Sequence, residues 1–208
     1  NLASNDYLGL ASDIQLREQF FDETPNAQRW MSSSSSRLLT GNFPEYEQLE
    51  ASLSRAFHGR AALLFNSGYH MNIGILPALS DSKTLILADK LVHASMIDGI
   101  RLSAAKYVRY RHNDLHHLAQ LLQKYHEDEA FERIIVVTES IFSMDGDIAD
   151  LPSLAVLKKQ FNACLIVDDA HGVGVIGNDG SGTASHYGLT DVIDLQVGTL
   201  SKALAAEG

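Results

Sequence analysis

Short apolar runs alternate along this chain with longer segments in which apolar residues recur every three or four positions. Six such runs predict strands: 61–65, 84–88, 106–110 (the weakest), 133–138, 163–167 and 191–197. Several are continuously apolar, which is typical of a parallel sheet covered on both faces. The periodic segments predict helices at 44–57, 113–125 and 151–161. This alternation predicts a doubly wound α/β sheet, in which ligands bind at the carboxyl ends of the strands.

Composition narrows the class of protein. The 208 residues suffice for one substantial core, and the net charge of −10 without a basic cluster argues against nucleic acid or an anionic membrane as partner. The single cysteine, Cys164, provides no disulfide framework and favours a reducing, cytoplasmic compartment. We see no apolar stretch near the roughly 20 residues of a membrane span and no secretory signal.

The candidate chemistry lies just after two predicted strands. Lys202 stands among small residues after the run at 191–197, while Asp168 and His171 follow the run at 163–167. Burial lowers the pKa of an amine, and a neutral amine can form a Schiff base with a carbonyl. Pyridoxal phosphate (PLP) requires a lysine for its aldehyde, an aspartate for its ring nitrogen and a phosphate cradle. These residues therefore predict PLP chemistry at the sheet edge.

Three further turns could contribute to such a site. Residues 66–69, including Gly68, form either a plain turn or a phosphate cradle at a helix start. His93 is either a surface histidine or an imidazole stacked on a flat cofactor ring. After the run at 133–138, Glu139 or Ser143 points into the cleft, unless this segment is only an Asp-Gly turn.

Two loops allow alternative interpretations. Residues 172–177 match G-x-G-x-x-G, a dinucleotide-binding pattern. Because a polar, glycine-rich segment follows where that motif requires a helix, we favour a tight glycine loop beside the active site. The serines at 32–36 form either a flexible linker or, flanked by Arg37 and Gly41, an active-site loop.

Four histidines fall close together in the sequence around the predicted helix 113–125. We place them on or near a polar helix face: His112, His116, His117 and His126. No carboxylate or cysteine spacing typical of a metal site accompanies them. We therefore expect no metal.

For the N-cap of the helix predicted at 113–125, Asn113 and Asp114 are both suitable.

Seven segments together resemble the α-oxoamine synthase family of PLP-dependent enzymes of fold type I. They lie at 4–10, 37–41, 64–69, 93–95, 142–147, 168–172 and 199–202. The resemblance runs along nearly the whole chain, and the order and spacing of the segments make it specific. It implies an N-terminal segment and substrate loop at 1–40 and a PLP-binding large domain at 41–208. That domain has a mostly parallel sheet with helices on both faces. We expect the family's C-terminal small domain to lie outside this sequence.

The resemblance also implies residue roles. Lys202 would hold the cofactor and act as base at the substrate Cα, His93 would stack on the ring, and Asp168 would pair with the ring nitrogen. His171 and Ser143 would contact the phenolic oxygen of the cofactor. Its phosphate would be held by Gly68, Tyr69 and Thr199. Asn5 would contact the amino-acid substrate. Two positions depart from the family: serines replace glycines at 32–36, and Tyr46 stands where histidine is common.

The activity implied is a decarboxylative condensation. The chain most resembles members that join L-alanine to a pimeloyl thioester in biotin synthesis, with glycine and an acetyl thioester as the alternative. The family resemblance further implies small-molecule substrates and a homodimer with the active site at its interface. Two other hypotheses stay open: a nucleotide-binding module built on the loop at Gly172, and a non-catalytic relative. The presence of Lys202, Asp168 and His93 argues against the second.

Overall fold

The computed structural model describes residues 3–25 and 32–208. Within them the strands are β1 (Thr84–Asp89), β2 (Lys106–Tyr110), β3 (Arg133–Glu139), β4 (Cys164–Asp168) and β5 (Leu195–Val197). The helices are α1 (Ile14–Glu23), α2 (Pro44–Ala56), α3 (Gly68–Ala78), α4 (Ala94–Leu102), α5 (Leu115–Tyr125), α6 (Leu151–Gln160) and α7 (Thr183–His186). A 3-10 helix, Leu10–Ser12, precedes α1. Among the described residues no helix has the length and apolarity needed to cross a membrane.

The strands form one parallel sheet in the order β2-β1-β3-β4-β5. Alternate strand residues face two separate cores, as the pleat requires. Leu85 and Leu87 pack with α5 and α6 on one face, and Ile86 and Ala88 pack with α3 and α4 on the other. The predicted α/β class, with helices on both faces of a parallel sheet, is therefore confirmed.

Side-chain caps explain where several helices begin. Asp114 accepts a hydrogen bond from the His117 backbone N–H at 2.8 Å, so Asp114 rather than Asn113 is the cap of α5. Asp150 caps α6 in the same way, accepting from the Ser153 N–H at 3.0 Å. Each cap satisfies a backbone donor that the first turn of a helix leaves without a partner.

The predicted strand at 61–65 is wrong. This segment has no regular secondary structure and pairs with no strand of the described residues. Its residues instead line a groove of about 670 Å³ that β5 also lines. An apolar run predicts burial and extension, whereas a strand also needs a neighbour that provides hydrogen bonds.

Three other elements differ from the sequence-based prediction. The strand predicted at 191–197 begins only at Leu195, because the N–H groups of Val192 and Ile193 turn back to the Leu189 carbonyl. Helix α1 was not predicted, and its apolar side chains are exposed, so no burial stripe marks it; Phe20, for example, is 61% exposed. Helix α7 was also missed, since its four residues are too short for periodicity. The predicted division at residue 40 stays a prediction.

Candidate active site

The amine of Lys202 lies at the carboxyl edge of the sheet, where parallel strands bring polar residues together. Its Nζ is 2.8 Å from Nε2 of His171, which follows β4. Burial lowers the pKa of Lys202 below its ordinary value, although the negative charges of Asp168 and Glu139 oppose that shift. The structure thus brings His171, Asp168 and Glu139, all candidates from the sequence, close to the amine of Lys202. In the described part of the chain Lys202 forms no salt bridge.

His171 connects this lysine to the N-terminal segment. Burial and the charge of Lys202 lower the pKa of His171, which favours its neutral form. When Lys202 is protonated it donates to Nε2, and Nδ1–H then donates to the Tyr7 oxygen at 2.6 Å. The Tyr7 hydroxyl in turn donates to Asn5 Oδ1 at 3.3 Å. Tyr7 therefore links His171 to Asn5, the predicted substrate contact, by hydrogen bonds. We did not predict Tyr7 as a residue of the site.

Asp168 is held by a buried chain of hydrogen bonds that reaches His93. Asn72 donates to Asp168 Oδ2 at 3.3 Å and to Ser95 Oγ at 2.9 Å. Ser95 Oγ lies 2.7 Å from His93 Nδ1. Both of the linking side chains, Asn72 and Ser95, are buried. We did not predict either; the available signal was a polar asparagine within the apolar helix after Gly68.

Glu139 and Ser143, the two candidates after β3, differ in burial. Glu139 ends β3 directly beside Asp168 and is 3% exposed, whereas Ser143 lies on the exposed loop that follows. Burial and the neighbouring Asp168 charge raise the pKa of Glu139 to about 7, although the backbone N–H groups of His93 and Ser143 oppose the shift. Its buried Oε1 has no hydrogen-bond partner in the described structure. Such an orphaned oxygen is a polar group available to a ligand.

Two of the three predicted phosphate contacts face the same groove. Gly68 is the first residue of α3, and Gly68 and Thr199 both line the groove described above. A Cβ at Gly68 would meet no atom within 4 Å, so the helix start is open. Backbone N–H groups at such a start favour an anion. The phenol of the third residue, Tyr69, instead donates to Asp98 Oδ2 at 3.2 Å.

The glycine loop encloses a buried carboxylate. Residues 172–177 form turns, and the next helix, α7, begins only at Thr183. A Cβ on Gly172 would come within 2.1 Å of Asp169 Oδ1, and one on Gly182 within 2.1 Å of Oδ2. The preferred tight-loop interpretation is confirmed, and the helix that a dinucleotide motif requires does not follow this loop.

The serine segment ends in an anchored residue. Arg37 donates two hydrogen bonds to Glu50, at 2.6 and 3.0 Å, and one to the Leu64 carbonyl at 3.3 Å. Its guanidinium also lies 4.5 Å from the centre of the Tyr46 ring. A bidentate pair of this kind fixes geometry, so the segment is tied to α2 rather than a free linker. Its role as an active-site loop stays a prediction.

His112 lies near the helix α5 but not on it. Its ring lies before α5, between the carboxylates of Asp89 and Asp147, because both ring nitrogens find acceptors there. His116, by contrast, is exposed on α5 and contacts Gln120 at 3.0 Å. In the described ranges no group of three or more His, Cys, Asp or Glu side chains is arranged to hold a metal ion.

Curated relatives match the full length of this chain. A putative 8-amino-7-oxononanoate synthase from Pasteurella multocida is 58% identical over 209 residues, covering all of this chain and 54% of that protein. The 8-amino-7-oxononanoate synthase of Haemophilus ducreyi is 57% identical over 216 residues, covering all of this chain and 55% of that protein. The chain therefore spans about half the length of the curated relatives it matches.

Solved structures share the fold. A serine palmitoyltransferase from S. paucimobilis, with a bound PLP–myriocin aldimine, superposes with a TM-score of 0.90 at 30% identity, covering 99% of this chain and 52% of that one. The 8-amino-7-oxononanoate synthase of Francisella tularensis superposes at 0.76 and 30% identity, covering 99% and 56%. The model of the family described as aminotransferase class I and II matches residues 1–208. With the parallel sheet and the lysine at its carboxyl edge, these matches show that the chain belongs to the aminotransferase class I and II family.

Proposed function

We propose that this chain carries the cofactor-binding part of an 8-amino-7-oxononanoate synthase. The reaction joins L-alanine to a pimeloyl thioester and releases CO2 and the free thiol. The observation that carries the proposal is the half-buried amine of Lys202, which lies 2.8 Å from His171 and has its pKa lowered by burial against the charge of Asp168. The relatives that bear this enzyme name at 57–58% identity support the choice of substrates.

The residues present fit PLP. An amine with a lowered pKa is suited to the aldehyde, and the open start of α3 at Gly68 is suited to the phosphate. The orphaned Oε1 of Glu139 and the buried Asp168 provide acidic groups for the ring side of the cofactor. When bound, PLP supplies an aldehyde that takes amines and an aromatic ring that accepts an electron pair from the substrate carbon.

Each residue then has a physical task. Lys202 would hold the cofactor, and its amine would take the proton from the alanine Cα, a role for which its lowered pKa is suited. Asp168 would keep a proton on the ring nitrogen of the cofactor. The hydrogen bonds through Asn72 and Ser95 link the position of Asp168 to that of His93, which would contact the ring.

The other contacts position the two ends of the cofactor and the substrate. His171 and Ser143 would bind the phenolic oxygen of the cofactor, and Asn5, which Tyr7 links to His171, would contact the amino acid. The phosphate is held by Gly68, Tyr69 and Thr199. Because the Tyr69 phenol is engaged by Asp98, we assign its contribution to the backbone N–H.

We also propose a cytoplasmic homodimer whose interface completes the site. Two apolar side chains near the predicted substrate loop and the Ser143 loop support this proposal, since Leu38 is 93% and Met144 91% exposed. A partner subunit placed over these two loops would cover both apolar side chains. The partners in the reaction are small molecules, an amino acid and an acyl thioester.

Borohydride reduction of the full-length holoprotein tests the cofactor assignment. We expect the reduced cofactor on the peptide containing Lys202, and Lys202→Ala should lose both the label and the visible absorbance of bound cofactor. A label on another lysine would contradict the site. Release of free thiol should then be measured with alanine, glycine and serine, each crossed with pimeloyl and acetyl thioesters. Alanine with the pimeloyl thioester should be fastest, and a clear preference for glycine with the acetyl thioester would refute the substrate assignment.

A further inference from the structure

His112 lies in a charged cluster outside the site described so far. The ring stands just after β2, and its side chain is 24% exposed. Nδ1 is 2.9 Å from Oδ1 of Asp89, the last residue of β1, and Nε2 is 2.7 Å from Oδ2 of Asp147, on the loop after β3. We call Asp89, His112, Asn113 and Asp147 the clamp. It joins three segments that are far apart in the sequence.

One side of the clamp is the turn that leads to His93. The Leu91 N–H donates to Asp89 Oδ1 at 2.8 Å, and the Asn113 N–H donates to Asp89 Oδ2 at 2.9 Å. The Asp89 side chain is 1% exposed, so both of its oxygens are committed to these donors and to His112. Asp89 therefore fixes the turn of residues 89–93, at whose end His93 caps α4.

The other side of the clamp is the loop that carries Ser143. Asn113 Nδ2 donates to Asp147 Oδ2 at 2.5 Å, beside the bond from His112. The Phe142 N–H donates to the Asp147 carbonyl at 3.0 Å, which closes the loop on itself. The Phe142 ring, 2% exposed, meets the His112 ring edge to face with centroids 4.4 Å apart. The loop of residues 142–147 therefore contacts His112 at both of its ends, through Phe142 and Asp147.

We infer that His112 is a positioning residue that sets the distance between the two loops carrying His93 and Ser143. It makes this contribution through Asp89 and Asp147 and needs no contact of its own with cofactor or substrate. The inference rests on the proposed function in one respect, namely that His93 and Ser143 contact PLP. The hydrogen bonds that join the two loops through His112 do not require the cofactor.

The protonation state decides how many bonds the ring can donate. The imidazolium donates from both nitrogens, whereas neutral imidazole donates from only one and leaves one carboxylate without that donor. Burial alone would lower the pKa of His112, but the hydrogen bonds and charges of Asp89 and Asp147 outweigh it and raise the pKa. Those two carboxylates are the charged groups that face the ring; Arg111 on its own segment is paired with Asp114. The clamp is therefore complete in the charged form.

Two isosteric variants separate the two halves of the clamp. The amide nitrogen of asparagine can replace Nδ1, and that of glutamine can replace Nε2. His112→Asn should keep the bond to Asp89 and free the Ser143 loop, and His112→Gln should do the reverse. His116→Gln is the matched control, because His116 is exposed four residues away and bonds only to Gln120 among the contacts described.

Hydrogen exchange of the full-length protein without cofactor gives a readout that does not depend on activity. We expect His112→Asn to speed amide exchange in residues 141–148 about tenfold, which corresponds to about 1.4 kcal/mol. The strands β1 and β4 should exchange as in the unsubstituted protein. The dissociation constant for PLP should rise by a similar factor, while His116→Gln changes neither quantity. Asp147→Asn, which removes one charge and keeps an acceptor, should give a smaller effect in the same loop.

Three results would overturn the inference. They are unchanged loop exchange in His112→Asn, equal acceleration in His116→Gln, and acceleration spread evenly over the sheet. If either His112 variant fails to fold, the Asp147→Asn comparison decides between loop-specific and general effects. If the unsubstituted full-length protein does not bind PLP, the proposed function fails, whereas the exchange result still tests the clamp.

Discussion

The buried carboxylate of Asp169 provides a sharp test of how the sheet edge is held together. Asp169 is 0% exposed and receives four hydrogen bonds. Oδ1 accepts from Ser140 Oγ at 2.5 Å and from Thr183 Oγ1 at 2.8 Å, and Oδ2 accepts from the Thr183 N–H and from Gln196 Nε2, both at 2.8 Å. One side chain thus joins β5, the start of α7 and the residue after β3 to the segment that carries Asp168 and His171.

The size of the effect follows from the donors left behind. In Asp169→Ala the hydroxyls of Ser140 and Thr183 can rotate toward other acceptors, but the Thr183 N–H and one Gln196 N–H cannot. A buried donor without a partner costs about 1–3 kcal/mol, so the free energy of unfolding should fall by about 2–6 kcal/mol. A typical domain has only about 5–15 kcal/mol in total.

Asparagine at position 169 distinguishes hydrogen bonding from charge. Its carbonyl can take the place of Oδ2 and accept from both fixed donors, while its amide can donate to the two hydroxyl oxygens. Burial raises the pKa of Asp169 even though four donors oppose that shift, which means that the buried site disfavours the charge. Removing the charge by Asp169→Asn should therefore cost little stability. We therefore expect Asp169→Asn to lose only about 1 kcal/mol.

Denaturant unfolding of the full-length protein measures both variants, with exposed Asp191→Ala as the control. The reasoning would be refuted if Asp169→Ala stayed within about 1 kcal/mol of the unsubstituted protein, or if Asp169→Asn were equally damaging.

Three further results should follow from the same structure. Gly172→Ala places a Cβ 2.1 Å from Asp169 Oδ1, so the denaturation midpoint should fall by an amount equivalent to about 1–3 kcal/mol; an unchanged midpoint would contradict the close approach. Tyr7→Phe removes the 2.6 Å partner of His171, so kcat/KM should fall about two- to tenfold with little change in stability, and full activity would argue against this role. The raised pKa of His112 means that its stabilisation is fully present below the unfolded pKa of about 6.5 and is lost as pH rises through the higher folded value. The difference in unfolding free energy between the unsubstituted protein and His112→Gln should therefore shrink as the pH rises above about 6.5. A difference that does not change with pH would contradict the titration.

Most of the sheet could be predicted, because its strands are continuous apolar runs whose length is read directly from the sequence. Residues 106–110 match β2 although their pattern was the weakest. The run at 61–65 is equally apolar, yet it is not a strand, because pairing depends on a neighbour rather than on composition. The site shows the same division: Lys202 and His171 could be predicted from their positions after strands, whereas Asn72 and Ser95 connect Asp168 to His93 only across packed elements.

The sequence by itself determined the α/β class, the caps available to its helices and the sheet edge that holds the polar chemistry. These properties are local, since periodicity and capping involve residues a few positions apart, and the carboxyl ends of parallel strands necessarily meet. Only the tertiary structure decided which side chains share partners. Tyr7 and His171 are 164 positions apart, and His112 stands between carboxylates that come from two other segments. Hydrogen bonding and desolvation act through space, so protonation and positioning at this site follow from packing that no local pattern records.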